Sequence, residues 1–279
     1  GRIASDPVLA AADDDSFMLA YIGFRTTTSH DLSDMHVYVA RAASGADTFD
    51  APIDISYPSD AAHLDKPWII RTYAGHSTYY IDTPGGVRIA TDFSGAYHAG
   101  GRLPDVVTMN RAHSTHYTLY PDPKIPHVLH GWGEDGKPAH VELRLGDVYI
   151  RNVTTDIRRY YGEFSGGDMI RDGNSIFIFE VAGLCIGHLG HLHHKLDESH
   201  FAQIGRIDIL MVPIDGTYTM SLDGVSEITK RLRASVVLPM HRFATPLDEF
   251  MRLIGQQFVI DQRTERTLKI SRDTLPGTP

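Results

Sequence analysis

The chain has 279 residues, of which 42% are hydrophobic and 22% charged, and its formal net charge is −9. That length buries a large core in one or two domains, while the acidity argues against a general nucleic-acid or anionic-membrane partner. The single cysteine, Cys185, lies inside an apolar run and excludes both an intramolecular disulfide and a cysteine-rich zinc module.

In chain order, residues 1–66 hold short alternating segments at Phe17–Ile22, His36–Ala40 and Ile53–Ser56, separated by Asp, Gly, Ser and Pro. The pattern predicts β-strands joined by turns. From His36 the stretch H-V-Y-V-A-R-A-A-S-G-A-D-T-F is similar to one blade of a sialidase-like β-propeller, with only Thr48 and Phe49 fitting the repeat's Asp-box. One blade cannot bury its own faces and no second copy follows, so residues 1–66 read as a β-rich extension packed on a main domain of residues 67–279.

After Trp68 the spacing predicts strands at Ile69–Tyr73, Thr78–Ile81 and Val87–Thr91, the last two joined by a hairpin turn at Pro84-Gly85-Gly86. Further strands are expected at Val106–Met109, Val141–Leu145, Val148–Val153, Ser175–Val181, Leu184–His188, Ile207–Val212 and Ser235–Pro239. Ser221–Leu232 carries apolar residues at Leu222, Val225, Ile228 and Leu232, which is helical spacing, and Leu247–Ile254 reads as a second helix. No apolar stretch approaches the ~20 residues that span a bilayer. No secretory signal peptide is visible, which leaves the cytoplasm as the default compartment.

Four segments carry the chemistry. Gly75-His76-Ser77-Thr78 precedes T-P-G-G-V-R-I-A-T-D-F, and the run Val106–Met109 leads into N-R-A-H-S-T-H-Y. Next come G-L-C-I-G-H-L-G-H-L-H-H, ending at His194, and V-P-I-D-G-T-Y-T-M followed by V-V-L-P-M-H, ending at His241. In this order they resemble the metallo-β-lactamase superfamily, in particular its lactonase-like branch, across roughly residues 68–245. The resemblance implies an α/β fold, the αββα sandwich of two sheets between helix layers. It also implies a metal site built on a motif H-x-H-x-D-H, a later bridging aspartate and a last histidine.

In this chain Arg111 stands at the first histidine of that motif and Thr115 at its aspartate, while His113 and His116 match the other two. His191 occupies the place of the bridging aspartate, and Asp156 or Ile157 the place of a histidine on a later strand. An arginine repels a cation, so the first of the family's two metal sites is expected to be lost or much weakened. His116, His191 and His241, with His113 as a further ligand, are expected to hold one ion, most simply zinc, with iron or manganese as alternatives. His188, His193 and His200 fit a polar loop better than a ligand set.

His194 falls where the family has a histidine that orients a ligand or substrate, and it joins His113, Thr115 and Tyr218 as a catalytic candidate. Arg111, Tyr218 and Asp215 are candidate substrate contacts, with an ion pair to Asp92 or Asp156 as the alternative for Arg111. The resemblance implies a hydrolase of a small cyclic ester, lactone or related ester or amide, in which the ion activates water. A non-catalytic binding or regulatory protein on the same fold and an iron-dependent oxidoreductase are the alternatives. The partner expected is a small-molecule substrate, with no nucleic acid and no membrane; whether the chain forms a homo-oligomer is left open.

Overall fold

The structure, a computed structural model, describes residues 2–11, 17–25, 35–42, 53–54, 68–72, 77–95, 102–112, 114–134, 137–158, 169–242, 247–261 and 267–276, with the backbone alone up to residue 72. The chain divides into two compact units, one of Gly1–Leu64 with Tyr97–Arg102, the other of Asp65–Ala96 with Leu103–Pro279. The first is a four-stranded antiparallel meander of β1 (Arg2–Ala11), β2 (Phe17–Arg25), β3 (Met35–Ala42) and β4 (Ile53–Asp54). A propeller blade is also a four-stranded sheet.

Among the described residues the second unit contains two six-stranded sheets. One comprises β5 (Trp68–Thr72), β6 (Tyr79–Asp82), β7 (Arg88–Ala90), β8 (Val106–Met109), β9 (His127–His130) and, from near the end of the chain, β16 (Thr267–Ile270). Its order is β16-β5-β6-β7-β8-β9, antiparallel as far as β7 and parallel through β7, β8 and β9. The other runs in chain order through β10 (Glu142–Leu145), β11 (Val148–Arg158), β12 (Met169–Val181), β13 (Leu184–His188), β14 (Ile209–Pro213) and β15 (Val236–Met240). It is antiparallel as far as β13 and parallel through β13, β14 and β15.

Alternation along the strands determines the layers. Phe177 and Phe179 of β12 and Ile209 and Met211 of β14 point into one core with Tyr79 and Ile81 of β6, Ile89 of β7 and Val106 of β8, so this core lies between the sheets. The intervening residues Ile176, Ile178, Leu210 and Val212 face the opposite way, toward three helices. These are α1 (Glu198–Ile204), α2 (Leu222–Leu232) and α3 (Leu247–Ile254). Burying one such aliphatic or aromatic side chain contributes about 1.5–3 kcal/mol.

α2 forms where the spacing predicts. Ser221 caps its first turn by accepting a hydrogen bond from Gly224 N, Asp223 lies at its positive end, Lys230 and Arg231 at its negative end, and the helix stops at Arg233 in the left-handed region. α1 was not expected: it is short and set in the histidine-rich stretch, and His200 serves it by completing a capping box with Asp197.

The sandwich matches the expected fold class, with one difference in its outer layer. Over the far face of the first sheet the described residues supply a loop instead of a helix, with Phe93 and Ile125 packing on Tyr80, Val107 and Met109 beside Tyr117 and Trp132. The hairpin between β6 and β7 turns where expected: Gly86 has φ 89° and donates to Thr83 O. Gly85 lies so close to Asp147 that a Cβ there would come within 2.5 Å of its carboxylate. Among the described residues no helix is long and apolar enough to cross a membrane.

Candidate metal centre

The site assembles at the carboxyl ends of parallel strands from both sheets, the position where α/β sheets commonly place ligands. Asp92 follows β7, His116 follows β8, His191 follows β13, Asp215 follows β14 and His241 follows β15 directly. Asp92 and His241 adopt positive φ, 41° and 52°, in the chain's turn away from the sheet. Such strain is retained where surrounding structure holds it.

His116, His191 and His241 are buried, and one potential ligand atom from each lies within 4.8 Å of the other two. Their ring centroids are 4.7, 4.9 and 4.9 Å apart, nearly an equilateral triangle. No other trio of His, Cys, Asp or Glu side chains among the described residues converges in this way.

The hydrogen bonds fix which nitrogen faces the centre. Nδ1 of His116 lies 2.7 Å from Asp92 Oδ2, and Nδ1 of His241 lies 2.8 Å from Asp215 Oδ2. A carboxylate only accepts, so each Nδ1 carries a proton, and in the neutral ring Nε2 keeps its lone pair. The Nε2 atoms of all three rings are buried and make no hydrogen bond among the described residues, although each ring is engaged elsewhere. Three inward-facing imidazole nitrogens, two of them backed by carboxylates, fit a divalent cation: they are neutral donors with fixed tautomers and a supporting outer shell.

Each carboxylate is held in turn. Asp92 Oδ1 accepts from Asn110 Nδ2 at 2.8 Å. Asp215 is a hub, accepting from the backbone amides of Thr217, Tyr218 and Thr219 at 2.9, 2.5 and 3.0 Å and from the Thr219 hydroxyl at 2.5 Å. Burial pushes the Asp215 carboxyl up, but the hydrogen bonds from His241, Thr219 and the loop amides outweigh it and hold the group well below the usual range, as the anion.

A buried amide pair registers the two sheets behind the triad. Asn110 accepts from Ser175 N at 2.7 Å, joining the end of β8 to β12. Asn174 accepts from His191 N at 2.7 Å and donates to Thr155 Oγ1 at 2.8 Å. Gly190, at φ 60°, fits between them: a Cβ would lie 2.4 Å from Asn110 Nδ2 and 2.5 Å from Asn174 Oδ1.

The remaining candidates occupy varied places. Asp215 is not open to a substrate, since its oxygens are taken by His241 and its own loop. Arg111 is exposed and does not pair with Asp92, which serves His116 and Asn110, while Asp156 Oδ1 accepts from Asp172 N. His194 lies outside the triad, its Nε2 accepting from Asp156 N at 3.0 Å and its Nδ1 donating to Lys195 O at 2.8 Å, so neither nitrogen is available for catalysis. The Asp156 amide is available to it because the β11–β12 register shifts between Thr155 and Ile157, as at a bulge.

Thr115 is half-buried beside His116, and Tyr218 is exposed just after the Asp215 turn. His113 lies outside the described residues. His188 is buried, with Nε2 donating to Ser77 O at 2.8 Å and Nδ1 accepting from Gly190 N at 3.1 Å, which makes it a tie between the sheets. His193 reaches His191, Nδ1 to Nδ1 at 3.5 Å, with the rings tilted at a centroid distance of 4.7 Å. Burial first, and then the charge of Arg158, push the His193 imidazole down to about 4, so it stays neutral.

Comparison with known proteins bears on the family and the fold. A metal-dependent hydrolase of Thermoplasma acidophilum is 30% identical over 89 residues, 32% of this chain and 37% of that protein. One of Pyrococcus furiosus is 30% identical over 87 residues, 29% and 39% of the two chains. The match thus spans little more than a third of these curated relatives. Among solved structures, a Thermotoga maritima protein assigned to the Zn-dependent hydrolases of the metallo-β-lactamase superfamily superposes with a TM-score of 0.53 at 26% identity, covering 76% of this chain and 96% of that one. A metallo hydrolase of Ignicoccus hospitalis shares the fold, with a TM-score of 0.51 at 19% identity over 74% and 99% of the chains. Because the family model described as the beta-lactamase superfamily domain matches residues 71–241, more than half of its length, the chain belongs to that superfamily.

Proposed function

We propose that the protein is a metal-dependent hydrolase with one divalent ion, zinc in the first instance, held by His116, His191 and His241. The observation that carries this reading is the convergence of the three buried rings from two sheets, with Asp92 and Asp215 fixing two of the tautomers. A bound divalent cation polarises a carbonyl oxygen and makes water acidic enough to attack at neutral pH.

The protein's own part is to hold this constellation rigid. Asp92 and Asp215 hold the Nδ1 protons of His116 and His241 so that Nε2 faces the centre, and the Asn110 and Asn174 amides keep the loops that carry His116 and His191 in register. Two carboxylates and three neutral imidazoles balance a dication, which suits an uncharged ester better than an anionic phosphodiester. Tyr218, exposed beside the Asp215 turn, offers a phenol to donate to a polarised oxygen, and Arg111 offers a guanidinium for an anionic substituent. The proposed substrate class is a small cyclic ester or related ester or amide, supported by likeness to the lactonase-like branch.

Metal analysis combined with a panel of lactones and simple esters tests the proposal. About one zinc per chain and metal-dependent ester cleavage are expected, both lost in His241→Ala. Iron in place of zinc would redirect the search to redox chemistry. Failure to take up any divalent metal after stripping and repletion would refute the hydrolase reading.

A further inference from the structure

The metal-site reading leaves one asymmetry. His116 and His241 each direct Nδ1 at a carboxylate, whereas the atom at Nδ1 of His191 is another imidazole nitrogen, that of His193. We propose that His193 is the positioning residue for His191, accepting its Nδ1 proton so that Nε2 of His191 faces the ion, as Asp92 and Asp215 do for the other two ligands. This proposal rests on the metal-site reading.

Three observations support it. The Nδ1 to Nδ1 distance is 3.5 Å, and one of the two nitrogens must donate while the other accepts. The ligand atoms of His116, His191 and His241 lie within 4.8 Å of one another, so on the metal-site reading Nε2 of His191 gives its lone pair to the ion. A neutral ring that gives Nε2 to the ion carries its proton on Nδ1, and the group placed there to accept it is Nδ1 of His193. The backbone of His191 is pinned independently by Asn174 Oδ1 at 2.7 Å, so the ring's rotation and tautomer are the variables left for His193 to set.

The contact, at 3.5 Å, is longer and weaker than the two carboxylate contacts. The third ligand is therefore held by an imidazole in place of a carboxylate. It adds no negative charge, and the balance of two carboxylates against a dication is kept.

The test uses the full chain and zinc alone as probe, with affinity measured by competition against a chromophoric chelator. His193→Phe keeps a ring against His191 but offers no acceptor, and is expected to weaken zinc about 10- to 100-fold, the usual effect of losing such a partner. His193→Asp restores an acceptor and is expected to bind within about threefold of wild type or tighter. Nitrogen-15 NMR of the metal-free protein provides a second readout: His191 should be the Nδ1-protonated tautomer in wild type and a mixture in His193→Phe. Zinc affinity and tautomer both unchanged in His193→Phe would overturn the assignment while leaving the metal site standing. A wild-type protein that takes no zinc would overturn the metal reading itself.

Discussion

Asp92 and Asp215 are the residues that give the triad its chemistry, although neither would touch the ion. Replacing either with Asn keeps an acceptor at Nδ1 but removes a charge that raises ligand basicity. Asp92→Asn and Asp215→Asn are each expected to weaken zinc binding about 10- to 100-fold, measured by chelator competition. Asp215→Asn should also lower stability, since that carboxylate organises the Thr217–Thr219 turn through its amides. Gly190 is equally constrained for a different reason. At φ 60°, with Asn110 Nδ2 and Asn174 Oδ1 inside the radius of a Cβ, Gly190→Ala is expected to destabilise the protein by about 1–3 kcal/mol in chemical denaturation.

At the scale of elements, strong periodicity was readable in advance and weak or long-range pairing was not. Val106–Met109, Leu184–His188 and Leu247–Ile254 are predicted with the bounds they adopt, because each is an uninterrupted apolar or amphipathic run. β11 and β12 run beyond Val148–Val153 and Ser175–Val181, since their outer halves, rich in Thr, Asp and Arg, are strands only through pairing with each other. β9 and β16 escape prediction because His127–His130 and Thr267–Ile270 are only four residues long, too short for their pattern to mark a strand without the pairing to β8 and β5. The triad was readable from motif order. Asp92 as partner of His116 was not, because the link joins the ends of two different strands and the short segment T-D-F names no partner for it. At this same scale Phe179→Ala, which empties a fully buried place between the sheets, should cost about 3–5 kcal/mol in chemical denaturation.

For the whole molecule, the triad joins loops that extend from both sheets, so an ion bound there would cross-link the two halves of the sandwich. An ion that binds only the folded chain stabilises it by mass action, about 2.7 kcal/mol at a free concentration one hundred times Kd. For a chain of this size that raises Tm by about 5–10 °C, so differential scanning calorimetry with and without a chelator should separate the two states by that interval. The claim on which all else depends is that His116, His191 and His241 share one ion. Anomalous diffraction at the zinc edge from crystals grown with zinc tests it most directly. The account predicts a single strong peak enclosed by the Nε2 atoms of those three rings; a peak elsewhere, or none at full zinc, would contradict it.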